Sequence, residues 1–307
     1  MTVPRTSPDG PPGLGFLDPR VLSRIGSLEL IARGVVEGFT NGLHRSPHVG
    51  MSMDFAEHRA YMPGDDIRRI DWRLFARTDR YYMKQFEADT NTNCSVLLDV
   101  SKSMSFSSGG LSKLDYARYV AACLLYFSHG QRDRVGLVTF DSDIIDFVPP
   151  SAKHLPVVLH TIDRTTPGGQ GDLLPPLRKL SEHFRRRSIV VVISDFYEEP
   201  ARVLDALGHL RNRGNDIIAF HILDPAEVDF PFDGASTFED LESGERIPVI
   251  PEYLRDQYRD LVSNHLAELS RLCVEQGVDY ARFDSSQPLD YVLFDFLARR
   301  QRMNRVR

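Results

Sequence analysis

The sequence predicts an α/β fold built on a doubly wound, mostly parallel β-sheet. Apolar strand-like runs alternate with helix-like segments from residue 94 onward, and strands that alternate with helices pair in parallel with helices on both faces. The predicted strand 188–193 is almost entirely β-branched, which is typical of a strand buried on both faces. The 307 residues are enough for one large domain or two smaller ones.

The N-terminal part of the chain is predicted to be an extension of this sheet domain. Residues 1–16 are rich in proline and glycine, so we expect them to be disordered. A helix is predicted over 19–38, because Asp18 and Pro19 suit a helix start and apolar residues follow at helical spacing. A loop is predicted over 39–50. The predicted units are a tail (1–16), an N-terminal extension (17–93) and the sheet domain (94–307).

The elements of the sheet domain follow from hydrophobic periodicity and turn residues. Apolar runs predict strands over 94–99, 135–140, 144–148, 188–193, 216–223 and 280–284. Helical spacing of apolar residues predicts helices over 113–129, 153–163, 172–185, 201–213, 252–276 and 288–300. Gly214 closes one of these helices. A small hairpin insertion is predicted over 237–249, around Ser243 and Gly244.

Polar side chains follow two of the predicted strands where each strand ends. Asp99, Ser101 and Ser103 follow strand 94–99, and Asp195 follows strand 188–193. Ligands of such sheets bind at the carboxyl ends of the strands. Carboxylate and hydroxyl oxygens with open water positions suit Mg²⁺. The pattern favours a shared cation site, although the serines would also suit helix capping and each acid would suit a solvated loop.

Charge, hydropathy and cysteine content argue against several classes of protein. The net charge of -6 argues against a general nucleic-acid binder, and no apolar run approaches the roughly 20 residues that span a bilayer. The first 15 residues lack a signal-peptide pattern. Cys94, Cys123 and Cys273 are an odd, widely spaced set, which predicts buried thiols rather than disulfides. We expect a cytoplasmic protein without a membrane span.

These motifs resemble a known domain and a known family. The D-x-S-x-S loop at Asp99, the α/β alternation and the I-S-D loop at Asp195 resemble a von Willebrand factor A-type domain. The stretch 61–73, YMPGDDIRRIDWR, with Ala76-Arg77 and KQFE at 84–87, resembles the bacterial family called domain of unknown function fifty-eight. GLHRS at 42–46 and FEDLESG at 238–244 extend that resemblance from about Gly42 to the end.

The resemblance implies a metal-ion-dependent adhesion site for Mg²⁺ or Mn²⁺. The implied ligands are Asp99, Ser101, Ser103 and Asp195. In A-type domains a threonine from a third loop completes the site, commonly in a G-T-D-L context. Gly171 stands at that position here and has no side-chain oxygen. A water, Thr165 or Thr166 could complete the site, or the site could be vestigial.

The mixed-charge signature around residue 68 has two interpretations. Alternating aspartates and arginines form bidentate ion pairs, which favours a structural clasp that holds this segment to the sheet domain with the Trp72 ring buried. A tryptophan beside arginines is also typical of interface anchors, so a partner-binding surface is the alternative. Its candidate residues are Asp65, Asp66, Arg68, Arg69, Asp71 and Trp72.

The resemblance also implies a function. It implies a non-enzymatic adaptor that works with a MoxR-type AAA+ ATPase and a client protein in the assembly or activation of protein complexes. An acidic side chain of a partner would supply the missing metal ligand. Two alternatives stay open: a metal-dependent hydrolase or phosphatase that uses the same carboxylates, or an interaction module with a vestigial metal site. The sequence lacks the phosphate-loop and common hydrolase motifs, which disfavours catalysis.

Overall fold

A six-stranded sheet organises this computed structural model, which describes residues 19–22, 26–45, 57–60, 72–85, 92–184 and 187–304. The described strands are β1 (Glu57–Ala60), β2 (Tyr82–Gln85), β3 (Asn93–Asp99), β4 (Arg134–Phe140), β5 (Ile144–Ser151), β6 (Ser188–Ser194), β7 (Asp216–Leu223), β8 (Ser236–Glu239), β9 (Arg246–Val249) and β10 (Asp279–Asp284). The main sheet has the order β10-β7-β6-β3-β4-β5. All its neighbours are parallel except β5, which is antiparallel to β4.

Helices cover both faces of this sheet. The described α-helices are α1 (Pro19–Leu22), α2 (Leu28–Arg45), α3 (Trp72–Thr78), α4 (Lys113–Gly130), α5 (Leu155–Arg164), α6 (Leu174–His183), α7 (Pro200–Arg211), α8 (Pro225–Asp229), α9 (Pro251–Glu275) and α10 (Leu289–Asn304). α2, α4, α5 and α10 contribute to the core on one face, and α6, α7 and α9 to the core on the other. The predicted doubly wound, mostly parallel α/β fold is therefore confirmed.

The central strand β3 shows why the chain forms this sheet. Val96 and Leu98 point into the core that contains α4, whereas Leu97 points into the core that contains α7. Successive side chains of a strand point to opposite faces, so an apolar run fills both cores. The side chains of Val96, Leu97 and Leu98 are fully buried. The polar residues that follow them begin at the end of the strand, where the chain leaves the core.

The N-terminal helix prediction is wrong in its boundaries. α1 ends at Leu22, and α2 begins at Leu28 after Ser27, whose carbonyl accepts from the Ile31 N–H at 3.1 Å. α2 then continues to Arg45, through the first part of the predicted loop 39–50. Its buried face packs in the core with α4, and tertiary packing of this kind outweighs the low helix propensity of Gly34 and Gly38.

Helix α2 also bears on the predicted division of the chain. Its buried residues belong to the same core as β3 and α4, so the extension contributes directly to the sheet domain. The boundary between residues 93 and 94 stays a prediction, and the tail 1–16 lies outside the described residues.

Most other element boundaries agree with the sequence prediction to within two residues, including the hairpin formed by β8 and β9. The prediction missed the short helix α8. Asp224 caps it, accepting from the Ala226 N–H at 2.9 Å, while the Glu227 carboxylate accepts from the Asp224 N–H at 2.9 Å. The sequence D-P-A-E at residues 224–227 contains the two side chains of this capping box.

The cysteines and the helices bear on two predictions made from the sequence, buried thiols and no membrane span. Cys94, Cys123 and Cys273 are buried, free thiols, as predicted. None of the helices in the described part of the chain has the length and apolar character that crossing a bilayer requires.

One buried histidine makes the stability of the fold depend on pH. His221 on β7 is fully buried, with its Nδ1 atom 2.8 Å from the hydroxyl oxygen of Tyr280 and its ring edge-on to Phe196. Burial, with a smaller contribution from nearby His265, lowers the pKa of His221 to about 3. The native protein therefore holds this imidazole neutral.

We expect acid to destabilise the protein through His221. Below about pH 6.5 the unfolded chain binds a proton that the native imidazole does not, so the free energy of unfolding falls as the pH drops towards about 3. His221→Gln should weaken this dependence in urea unfolding at pH 7 and pH 5. His160→Gln, on the exposed side of α5, is the control. Identical pH profiles for His221→Gln and the wild type would contradict the assignment.

Candidate metal and partner-binding site

The candidate site lies at the carboxyl ends of the adjacent strands β3 and β6. Asp99 ends β3, Ser194 ends β6 and Asp195 follows it. The two strands pair in parallel with Leu98 opposite Ile193, which places both strand ends at the same edge of the sheet. Asp99, Ser194 and Asp195 are all at least 95% buried. The structure therefore brings the two predicted acids to neighbouring positions.

The Asp99 carboxylate is held in a fixed orientation by two donors. Its Oδ1 accepts from the Ser101 N–H at 2.9 Å, and its Oδ2 accepts from the Ser194 hydroxyl at 2.6 Å. The Ser194 oxygen in turn accepts from the Phe196 N–H at 3.1 Å. Sequence reasoning missed Ser194, although it stands inside the I-S-D motif.

The pKa of Asp99 shows how burial and neighbouring charges act on a carboxylate at this edge of the sheet. Burial and then the nearby charge of Asp195 raise the pKa of Asp99 to about 7, although hydrogen bonds from Ser194 and Ser101 lower it. A buried carboxylate with a raised pKa is a recurrent feature of functional sites. A positive charge bound beside Asp99 would stabilise the ionised carboxylate and lower this pKa.

The two predicted serines lie next to each other. The hydroxyl oxygens of Ser101 and Ser103 are 3.1 Å apart, at the start of the short 3₁₀ turn Lys102–Ser105. Ser101 makes no side-chain capping bond to this turn, and α4 is capped instead by Ser112, which accepts from the Asp115 N–H at 3.0 Å. The capping interpretation does not account for Ser101.

Asp195 is engaged by a buried lysine that sequence reasoning missed. The Lys113 ammonium donates to Asp195 Oδ2 and to Glu227 Oε1, both at 2.7 Å, and the lysine side chain is fully buried. Its Nζ also lies 4.5 Å from the centre of the Tyr197 ring. One Asp195 oxygen is therefore neutralised by the protein itself. Direct or water-mediated metal coordination by Asp195 stays a prediction.

The third loop explains why residue 171 is glycine. The Gly168 N–H donates to the Val100 carbonyl at 2.6 Å, and the Lys102 N–H donates to the Gly169 carbonyl at 3.0 Å. These bonds hold the two loops so close that a Cβ on Gly171 would lie 2.9 Å from the Ser101 Cβ. A threonine at this position would not fit without movement of one loop.

The threonines considered as replacements lie just after α5. The Thr165 hydroxyl donates to the Thr161 carbonyl at 2.8 Å, so it serves the end of that helix and not the candidate site. Thr166 is exposed.

Glu242 lies against two loops of the site and was not predicted. It lies in the turn between β8 and β9, and its Oε1 accepts from the Ser103 N–H at 2.8 Å while its Oε2 accepts from the Gly171 N–H at 2.9 Å. Ser103 is 139 residues away in the chain and Gly171 is 71 residues away. The hairpin insertion therefore reaches the mouth of the site. The only sequence signal was the position of Glu242 within FEDLESG.

The mixed-charge signature is largely outside the described residues. This applies to Asp65, Asp66, Arg68, Arg69 and Asp71. Trp72 begins α3, with its side chain outside the description. The clasp and the partner-binding surface both stay predictions.

The donor set determines which metal the site could hold. The described residues contain no group of three or more His, Cys, Asp or Glu side chains placed to bind a metal ion, so a cation here would depend on hydroxyls as well. Asp99, Ser101 and Ser103 supply hard oxygens, which fit Mg²⁺ or Mn²⁺ and not a soft metal.

Several known proteins are similar to this chain. Uncharacterized protein Rv1480 of Mycobacterium tuberculosis is 30% identical over 264 residues, which cover 83% of this chain and 81% of that protein. The crystal structure of conserved hypothetical protein BatB from Bacteroides thetaiotaomicron matches with a TM-score of 0.47 and 17% identity, covering 69% of this chain and 99% of that one. The SpRpn10 VWA domain matches with a TM-score of 0.39 and 12% identity, covering 68% and 94%.

A family model matches most of the chain. The model of the family described as "Protein of unknown function DUF58" matches residues 57–268. The chain belongs to this family, which confirms the resemblance found in the sequence.

Replacing the buried lysine should destabilise the fold strongly. Lys113→Met leaves Asp195 and Glu227 buried without their shared cation, which costs about 3–5 kcal/mol of unfolding free energy. Urea denaturation measures this cost. Lys179→Met is the matched control, because Lys179 forms an exposed pair with Asp143 that contributes about 1 kcal/mol at most. Equal costs for the two variants would contradict the role given to Lys113.

Adding a single methyl group at Gly171 should also destabilise the protein. Gly171→Ala forces the third loop away from Ser101, and such overpacking costs about 1–3 kcal/mol. Gly208→Ala is the control, because Gly208 lies in α7 with nothing within 4 Å of the added carbon, and helix propensity should stabilise it by up to about 1 kcal/mol. Thermal unfolding should therefore shift in opposite directions, and a shift in the same direction would contradict the packing argument.

Proposed function

We propose that this chain is a non-enzymatic interaction adaptor that binds partner proteins through a cation held at the ends of β3 and β6. The supporting observation is that the Asp99 carboxylate is hydrogen-bonded to Ser101, whose hydroxyl oxygen lies 3.1 Å from that of Ser103, at one edge of the sheet. Open α/β sheets bind their ligands at this edge. All three groups offer oxygen to a hard cation.

The proposed cation is Mg²⁺ or Mn²⁺. Asp99, Ser101 and Ser103 would hold it, and Asp195 would contribute its second oxygen or a bridging water. When bound, the cation would link these oxygens to an acidic side chain of a partner, since such ions keep open coordination positions. The burial of Asp99 supports the proposal, because ionising a buried carboxylate is costly without a nearby positive charge.

The proposed partners are a MoxR-type AAA+ ATPase and a client protein. The basis for this pairing is the family resemblance, and the proposed role is the assembly or activation of protein complexes. An ATPase partner requires ATP, so we also propose that the chain acts in the cytoplasm.

A metal-dependent phosphatase is the competing hypothesis for the same carboxylates. A screen of generic phosphoesters in the presence of Mn²⁺ separates the two hypotheses. Turnover by the wild type that disappears in an Asp99→Asn variant would contradict the non-enzymatic proposal.

Removing the charge of Asp99 should abolish binding without unfolding the protein. Asp99→Asn keeps the shape of the side chain and one of its two acceptor oxygens, and it removes a charge that the fold disfavours. We expect a loss of at least about tenfold in Mn²⁺ affinity and loss of ATPase capture in a pull-down. Circular dichroism should show an unfolding midpoint equal to or above that of the wild type.

The matched control for this experiment is Asp205→Asn. Asp205 is exposed on α7, so the same change of charge should leave Mn²⁺ affinity and ATPase capture unchanged. Unchanged binding by Asp99→Asn would count against the proposed site.

A further inference from the structure

Two main-chain N–H groups beside the candidate site already bind a carboxylate. The N–H groups of Ser103 and Gly171 belong to different loops, and each donates to one oxygen of Glu242, at 2.8 and 2.9 Å. Backbone N–H groups that point at one position are a common way to bind an anion. We call this pair the amide cradle. The cradle is adjacent to the hydroxyls of Ser101 and Ser103, since Ser103 belongs to both.

The turn that carries Glu242 is built to present it. The Asp240 carboxylate accepts from the Glu242 N–H at 2.7 Å and from the Ser243 N–H at 3.0 Å. Gly244 has a φ of +73°, which favours glycine, and its N–H donates to the Asp240 carbonyl at 2.7 Å. The tip of the hairpin is thus ordered by its own bonds, and the Glu242 side chain points from it into the cradle.

The rest of the hairpin is largely exposed. Along β8 and β9 no residue is buried, and the hairpin contacts the domain through Phe238, one strand pair from the turn, whose ring stacks on Phe230 with ring centres 5.4 Å apart. None of the residues 240–245 at the tip is buried, so release of the tip from the cradle would take no buried side chain out of the core.

We propose that the amide cradle is a binding site for an acidic side chain, with Glu242 as its built-in occupant, and that a carboxylate of a partner protein exchanges with Glu242 when the hairpin tip lifts. This inference deepens the proposed function and rests on it for the identity of the partner. The ligand class is a carboxylate side chain of Asp or Glu. The hairpin then regulates the site, because a partner must displace it.

The glycine at position 171 fits this role. A Cβ there would lie 2.9 Å from the Ser101 Cβ and 3.9 Å from Glu242 Oε1. A side chain at this position would therefore press on Ser101, while its Cβ would lie at ordinary contact distance from the bound carboxylate. Glycine at position 171 lacks the side-chain oxygen that a threonine would supply. It leaves the Gly171 N–H accessible to the carboxylate of an incoming acidic side chain.

An internal occupant lowers the apparent affinity of the cradle for an external ligand. The apparent dissociation constant rises by the inverse of the fraction of molecules whose cradle is open. If the tip is closed in about nine molecules of ten, removal of Glu242 tightens binding about tenfold. This gain is the quantity to measure.

The test uses the full chain and acetate as the smallest carboxylate probe, without metal. Amide chemical shifts of Ser103 and Gly171 are followed by NMR during titration with sodium acetate, with sodium chloride at equal ionic strength as the reference. In Glu242→Ala we expect these two amides to respond to acetate with a dissociation constant about tenfold lower than in the wild type. Their hydrogen exchange without acetate should be faster than in the wild type.

Glu245→Ala is the matched control. It removes an exposed carboxylate from the same hairpin tip, so it changes the net charge equally while leaving the cradle contacts in place. It should behave as the wild type in both measurements. An equal gain in the two variants would show a nonspecific charge effect and would overturn the inference, as would unchanged acetate affinity in Glu242→Ala.

Failure of the cradle inference can be distinguished from failure of the proposed function. Loss of partner binding in Asp99→Asn together with unchanged acetate affinity in Glu242→Ala overturns only the cradle inference. Tighter acetate binding in Glu242→Ala together with normal partner binding in Asp99→Asn supports the cradle and contradicts only the metal-bridged function.

Discussion

Two acidic side chains are buried at neighbouring strand ends, and much of the surrounding structure offsets their charge. Lys113 is brought under the sheet edge to pair with Asp195 and Glu227, while Ser194 and a backbone N–H hold Asp99. Asp99 still has a pKa raised to about 7 by burial and by Asp195. The residues around Asp99 therefore do not fully stabilise its ionised carboxylate. A bound cation would stabilise it, which makes this edge of the sheet a candidate cation site.

The parallel topology creates this situation. Parallel strands need helical crossovers, so the loops at one sheet edge all connect the carboxyl end of a strand to the next element. The loops after β3 and β6 thereby meet at one place, and main-chain hydrogen bonds hold the connection between α5 and α6, which carries Gly171, against the loop after β3. Apolar runs long enough to fill both cores end abruptly in polar residues, which leaves carboxylates with little access to water. A hairpin added after β7 then covers the mouth of the site with Glu242.

The sequence predicted some parts of the site and not others, and the difference has a physical basis. Asp99, Ser101 and Ser103 lie within five residues, so a local pattern sufficed to group them. Asp195 could be added because strand ends in a parallel sheet share an edge. Lys113 and Glu242 could not be found, because nothing local marks a lysine at the start of α4 or a glutamate in a hairpin turn as a partner of residues 82 and 139 positions away.

The sequence by itself determined the elements, the α/β class and the edge where the polar residues gather, because hydrophobic periodicity and turn residues act over short distances. A contiguous signature in the sequence also indicated the family. Only the tertiary structure decided how the charges are distributed: that Asp195 is already paired, that position 171 has no room for a side chain, and that a carboxylate from the same chain lies at the mouth of the site. These outcomes depend on the approach of segments distant in the chain, which packing sets and local pattern does not encode.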